Sequence, residues 1–281
     1  MESNWRTVRP CRPAAAYIGG KRRLAEQIVQ LIERVPHNTY AEPFVGMGGI
    51  FLRRRWVPEL EVINDLSRDV ATFFRILQRH YQQFMDSLRF QIAGRAAFER
   101  LMETDPDTLT DLERAARFLY LQSLSYGGKV AGRTFGVDPG GSTRFNIHTL
   151  GPRLEEIHER LAGIVIECLP YGDFIARYDR PGTLFYLDPP YYGSEGYYGK
   201  SAFSRADFGR LAKIFRDIKG SFMMSINDDP AGEVRTTFAD YNIMDVKTVY
   251  SVAGGAGIEA PELVITGGAG FSMRPGDLLD F

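Results

Sequence analysis

The sequence predicts an α/β fold with a mostly parallel central sheet and a helical insertion. Three observations predict it. Short apolar runs alternate with amphipathic stretches toward both ends of the chain. The alternation is lost for roughly 85 residues in the middle. Several apolar runs end in glycines, in Asn-Asp or in Asp-Pro, the residue types that take a chain out of a strand. Strands separated by helices imply a sheet covered on both faces.

In order along the chain, "KRRLAEQIVQLIERV" places Leu24, Ile28, Leu31 and Val35 on one helical face, and Pro36 stops the helix. "TYAEPF" and "LEVIND" are strands on either side of a glycine turn, with a short helix over 51–56. A second amphipathic helix starts near Ser67. Several helices and a Gly-rich loop, "SYGGKVAGRTFGVDPGGSTRFN", follow without intervening strands. Alternation resumes with "IVIECL", "TLFYL", a helix over 204–218, "FMMSIN", "NIMDVKTVY" and "ELVIT". This divides the chain into an α/β domain, residues 1–75 and 164–281, interrupted by an inserted unit, 76–163.

Composition bounds the partners. The 281 residues are 44% hydrophobic and 25% charged with a formal net charge of -1, which excludes a uniformly basic nucleic-acid coat; any basic surface is local. Cys11 and Cys168 have no metal-like spacing and form no disulfide framework, and the four histidines are scattered, so no metal is expected. The start has no continuous apolar signal core, and no run approaches the roughly 20 residues of a membrane span. A soluble protein of a reducing cytoplasm is expected.

Ligands of such sheets bind outside the carboxyl ends of the strands, so the strand exits are read together. At the first, "EPFVGMGGIF", Gly46, Gly48 and Gly49 allow close backbone approach and a tight turn, with Phe44 beside them. No Gly-Lys-Ser/Thr phosphate cradle follows. At the second, "VINDL", Asp65 lies about 17 residues further on, the spacing at which an acid meets ribose hydroxyls. A helix-capping role for Asp65 is the structural alternative. Together these exits favour a nucleoside without phosphates, and S-adenosylmethionine is the common one.

The third exit is "LDPPYYG". Pro189 and Pro190 lack N–H groups and restrict the residues before them, leaving carbonyls outside any ladder. A flipped adenine offers two amine N–H groups and a π face. Asp188 and the Pro189 carbonyl can accept the two bonds, and Tyr191 can stack on the ring. Hydrogen bonds at roughly 0.5 to 1.5 kcal/mol each and stacking at about 1 to 3 are comparable with the cost of extruding a base.

These motifs resemble the Dam-type DNA adenine methyltransferases, and more closely their prophage-encoded relatives, over nearly the whole chain. "YIGGK" is similar to the family's N-terminal cofactor motif, with Tyr17 where many members have tryptophan. "EPFVGMGG", "NDL" and "DPPYYGSEGYYGKSAFSRADF" resemble its glycine loop, its acid and its catalytic loop, and "SINDDP" and "YSVAGG…ELVIT" its closing strands. The resemblance implies a Rossmann-like methyltransferase fold and methyl transfer from S-adenosylmethionine to the N6 amine of adenine in double-stranded DNA. It implies that Tyr17, Lys21, Asp65 and Asp188 contact cofactor or active site, with Asp173 and Phe174 of "YGDF" near the cofactor's adenine. A cation at Lys21 would suit the methionine carboxylate.

The insertion does not reproduce the recognition hairpin of GATC-reading enzymes, so the target sequence is open. Between Arg117 and Arg153 it holds five basic residues, Arg117, Lys129, Arg133, Arg144 and Arg153, against Asp138. Such a strip suits phosphate contacts, and Lys129, Arg133 and Arg144 are the expected DNA contacts. The protein is expected to act as a monomer or weak dimer. The rival readings are methylation of cytosine's amine or of RNA, and a DNA-binding regulator without catalysis. Restriction-modification, host evasion and regulation are equally open as its role.

Overall fold

The computed structural model describes residues 5–21, 24–136, 143–193, 203–250, 258–269 and 271. Parts of four motifs fall outside these residues: Arg22 and Arg23, the stretch 137–142 of the Gly-rich loop with Asp138, the stretch 194–202 after the third exit, and 251–257.

Strand β1 (Arg6–Thr7) precedes helix α1 (Ala25–Arg34), whose buried face is Ile28, Val29, Leu31 and Ile32, and Leu24 and Val35 are buried at its ends. Then come β2 (Thr39–Glu42), β3 (Trp56–Val57) and β4 (Leu60–Asn64). The helix expected over 51–56 is shorter: a 3-10 turn covers Phe51–Arg53, and Trp56 pairs antiparallel with Thr7 across β1 and β3. Helices α2 (Arg68–Arg79), α3 (Tyr81–Leu88), α4 (Arg95–Glu103), α5 (Asp111–Leu124) and α6 (Ile147–Arg160) follow. The chain then alternates through β5 (Val165–Glu167), α7 (Tyr171–Tyr178), β6 (Thr183–Leu187), α8 (Arg205–Arg216), β7 (Ser221–Asn227), α9 (Glu233–Thr237), β8 (Asn242–Tyr250) and β9 (Ile258–Gly268).

Among the described residues the main sheet has seven strands in the order β5-β4-β2-β6-β7-β9-β8. The first five are parallel, and β9 runs antiparallel between β7 and β8. Strand β6 is buried at all five positions, as a central strand covered on both faces should be. On one face Phe174, Phe185, Phe208, Phe215 and Phe222 form an apolar cluster with α7 and α8.

The other face shares a continuous core with the helices that follow β4: Tyr40, Ile63 and Leu184 of the sheet belong to one cluster with Phe73, Phe84, Phe118 and Leu154. Helix α5 sits at the middle of this layer, and a Thr110–Glu113 capping box closes its start. Its Arg117 does not belong to a solvent-facing basic strip. The helix buries Arg117, its Nε donates to the Leu101 carbonyl, and burial lowers its pKa. The sequence strip is therefore shorter than it reads, because one helix turns this arginine inward.

Candidate active site

Strands β2 and β6 are neighbours, but the connections from them run to opposite sides, β2 toward β4 and β6 toward β7. That reversal opens a crevice at the carboxyl edge of the sheet. A cavity of about 1040 Å³ lies there, lined by all three motif exits. Its size is at the top of the about 300–1000 Å³ range for single small ligands, which leaves room for two groups.

The glycine loop after β2 is held by backbone and side chain together. Gly46 takes φ of +51° with the Tyr17 ring against it: a Cβ there would come within 2.9 Å of that ring. Any side chain at 46 would displace the aromatic. Asp65 accepts from the Gly46 N–H through Oδ2 and from the Ser67 N–H through Oδ1, both at 2.9 Å. Burial raises its pKa to about 6, against the two N–H groups that lower it. The helix-capping alternative is not what the carboxylate does, because Ser67 is the N-cap of α2 and Asp65 bonds only its N–H, in a turn before the helix; that turn and the cavity-facing position coexist, with lone pairs left for further hydroxyl donors.

Asn64, one residue earlier, ties three exits together. Its Nδ2 donates to the Pro43 carbonyl at 2.9 Å and the Leu169 carbonyl at 3.0 Å, and its Oδ1 accepts from the Leu169 N–H at 2.8 Å. Asn227 does the same at the end of β7, bonding both the N–H and the carbonyl of Tyr192. The sequence signal for both was an asparagine ending an apolar strand.

At the third exit, Asp188 borders the cavity with Pro190, and Pro189 is buried between them. Lys21 is fully buried, and its ammonium meets Asp188 Oδ1 at 2.9 Å, Glu262 Oε1 at 2.5 Å and the Tyr191 hydroxyl at 2.8 Å. Those three contacts use all three donors of the ammonium. Burial opposes the Lys21 charge, but Asp188 and Glu262 outweigh it and leave its pKa raised. Burial lifts Asp188 to about 6; Lys21 pulls it down, and Glu262 pushes it up. Tyr191 also donates to Glu262 Oε2 at 2.9 Å, and the Lys21 ammonium lies 4.0 Å from its ring centroid. Glu262 went unrecognised in the sequence; its signal was a single acid opening the apolar run "ELVIT".

Glu42 is a second buried acid on the cavity wall. Tyr40 donates to its Oε1 at 2.6 Å. Burial lifts its pKa to about 8, despite the Tyr40 bond and the charge of Arg54. Behind it, Arg54 lies 3.6 Å from the centroid of the Tyr40 ring and bonds Glu61 and His37. The wall is completed by Phe44, Leu169 and Tyr171, with Phe44 and Tyr171 centroids 5.6 Å apart. Asp173 and Phe174 are not on this wall. Phe174 is buried behind it in the cluster that Phe44 packs against, and Asp173 is exposed in the first turn of α7.

The cavity lining also holds four arginines, Arg12, Arg53, Arg144 and Arg153, the last of them on α6. Arg144 is exposed at the mouth. Lys129 is half-buried nearby, and its carbonyl accepts from Arg133 Nε at 3.3 Å. Arg133 also donates to Gln122 Oε1 at 3.0 Å, and Gln122 in turn donates to the carbonyls of Ala16 and Gly128. Arg133 is therefore anchored against the loop that carries Tyr17. Among the described residues no cluster of potential metal ligands occurs, and no helix is long and apolar enough to cross a membrane.

A mostly parallel sheet with a glycine loop, an acid and an Asp-Pro-Pro-Tyr exit converging on one crevice defines the class of Rossmann-like methyltransferases. The model of the D12 class N6 adenine-specific DNA methyltransferases matches residues 17–252, and the chain belongs to that family. It is an adenine-specific DNA methyltransferase. It is similar to the type II methyltransferase M1.LlaDCHI of Lactococcus lactis subsp. cremoris, 27% identical over 254 residues that cover 84% of this chain and 87% of that protein. It is also similar to the type II methyltransferase M.CviBI of Paramecium bursaria Chlorella virus NC1A, 22% identical over 76% of this chain and 82% of that protein. The retron Ec67 DNA adenine methylase of Escherichia coli is 23% identical over 81% of this chain and 82% of its own length.

Proposed function

We propose that the chain uses S-adenosylmethionine to methylate the N6 amine of an adenine swung out of double-stranded DNA, and that both groups meet in the cavity between β2 and β6. The carrying observation is Asp188: it ends a strand on the cavity floor, beside two prolines, with its charge held by a buried lysine.

The donor set suits a cationic nucleoside without phosphates. Among the described residues Glu42 is a buried acid hydrogen-bonded by the Tyr40 hydroxyl and not by a cation, and no phosphate cradle follows the glycines. Glu42 would take the ammonium of the methionine end, Asp65 the ribose hydroxyls, and Phe44, Leu169 and Tyr171 the flat base, with Phe174 supporting from behind and Asp173 at the edge. Tyr17 and Gly46 would border the methionine end. Lys21, its donors spent on Asp188, Glu262 and Tyr191, serves the active site rather than the cofactor's carboxylate. When bound, S-adenosylmethionine supplies an electrophilic methyl group.

The protein's own part is to orient and to stabilise charge. Asp188 and the Pro189 carbonyl accept the two amine N–H bonds, turning the nitrogen lone pair out of conjugation with the ring. They also stabilise the positive charge that develops as the amine attacks. Tyr191 stacks on the base with the face opposite Lys21. Lys129, Arg144 and the anchored Arg133 place the insertion, 76–163, against DNA, and the protein acts as a monomer or weak dimer. The test is transfer of labelled methyl from S-adenosylmethionine to DNA followed by mass spectrometry of the nucleosides. N6-methyladenine is expected; N4-methylcytosine, label in RNA alone, or no label would overturn the reading.

A further inference from the structure

Lys21 is shared between two acids, only one of which borders the cavity. Glu262 lies on β9, buried, with Oε1 on the Lys21 ammonium and both oxygens within reach of the Tyr191 hydroxyl, at 3.3 and 2.9 Å. It is not on the cavity wall. An isolated Lys21–Asp188 pair would be neutral, and a neutral pair has little to offer an amine that is becoming positive. With Glu262 the cluster holds one positive and two negative charges. Resting on the reading above, we infer that Glu262 is a positioning residue for methyl transfer: it draws Lys21 away from full pairing with Asp188 and anchors Tyr191, so that Asp188 meets the target amine as an uncancelled carboxylate.

The two partners of Asp188 pull in opposite senses. Lys21 favours the ionised carboxyl in spite of burial, whereas Glu262 raises its pKa and, by sharing the same ammonium, takes part of the Lys21 charge. The other groups facing it are Glu42 at the end of β2, Tyr186 on β6 and Ser225 on β7, with Tyr191 reaching the cluster through Lys21. None of these is a cation, so Lys21 is the balance point.

The experiment compares Glu262→Gln and Glu262→Asp in the full chain. Gln keeps the size and one oxygen to accept from Lys21, turns its NH2 toward the Tyr191 hydroxyl, which can accept in place of donating, and loses the charge; Asp keeps the charge. Three quantities are read: methyl transfer to DNA against pH, S-adenosylmethionine affinity by calorimetry, and the titration of the Asp188 carboxyl carbon by NMR. For Glu262→Gln, the Asp188 midpoint and the acid limb of the rate should move down together. The plateau rate should fall on the order of tenfold or more, with cofactor affinity within about twofold of the parent. Glu262→Asp should stay near the parent in midpoint. An Asp188 midpoint unmoved in Glu262→Gln, or moved alike in both variants, overturns the inference. If the parent fails to methylate adenine, the functional reading falls, while the carboxyl titration still decides what Glu262 does to Asp188.

Discussion

The Gly46 N–H donates to Asp65 Oδ2 at 2.9 Å, so the glycine loop after β2 and the acid after β4 are one structure. Asp65 also holds the Ser67 N–H at the start of α2. Removing its carboxylate therefore acts twice. Asp65→Ala should weaken S-adenosylmethionine binding more than DNA binding, and should also lower stability by about 1 to 3 kcal/mol, the cost of leaving partly buried donors unpaired. Calorimetry and thermal unfolding measure the two effects separately. Unchanged cofactor affinity with lowered stability would leave Asp65 as a tie between the two loops alone.

Asp188→Ala should abolish methyl transfer and leave the protein folded. Lys21, which loses one carboxylate in that variant, keeps Glu262 and the Tyr191 hydroxyl. The reverse change differs. Lys21→Met leaves Asp188 and Glu262 buried without their shared cation and should cost about 3 to 5 kcal/mol, as expected for breaking a buried ion pair from one side. Denaturant unfolding of the two variants tests the asymmetry; equal stabilities would contradict it.

Glu42 sets a pH dependence. Its pKa in the folded protein, about 8, lies above that of an ordinary glutamate, so the stability it contributes is fully present below about pH 4.5 and is lost as pH rises toward 8. A ligand ammonium placed against it reverses the sense, because binding favours the ionised acid and expels the proton. S-adenosylmethionine affinity should therefore rise from pH 6 to 8, with proton release on binding. Calorimetry in two buffers of different ionisation enthalpy detects the proton, and Glu42→Gln should remove the effect. The same affinity at both pH values in the parent would separate Glu42 from the cofactor.

Much of this site was legible because strand exits advertise themselves. "EPFVGMGG", "IND" and "LDPPYY" each join a β-run to residues that cannot continue one, and the parallel sheet then brings their carboxyl ends to one edge. Long-range pairing was not legible. Glu262 reaches Lys21 from a strand 241 positions away only because β9 runs antiparallel beside β7, a reversal that no local period encodes. Burial was misjudged for the same reason: Arg117 reads as part of a basic strip until α5 turns it toward Leu101. Phe174 likewise reads as a ligand contact until its helix packs it into the core.

Two arginines that look alike in sequence, Arg133 and Arg144, differ in their surroundings. Arg144 is exposed at the mouth of the cavity, whereas Arg133 is half-buried and bonded to Gln122, which holds the carbonyls of Ala16 and Gly128. Arg133→Ala should therefore loosen the loop that carries Tyr17, lowering stability and S-adenosylmethionine affinity as well as DNA binding. Arg144→Ala should leave stability and cofactor affinity at parental values and act on DNA alone. If Arg144 meets a phosphate, the loss is uniform across sequences and the salt slope falls by about 1; if it reads a base edge, one position loses roughly 1 to 3 kcal/mol of discrimination. Arginine's planar fork suits guanine in the major groove, which favours the second outcome. Methylation of a randomised DNA pool at two salt concentrations distinguishes them. An Arg144→Ala protein with parental affinity, salt response and site profile would move recognition to the helices between α3 and α5.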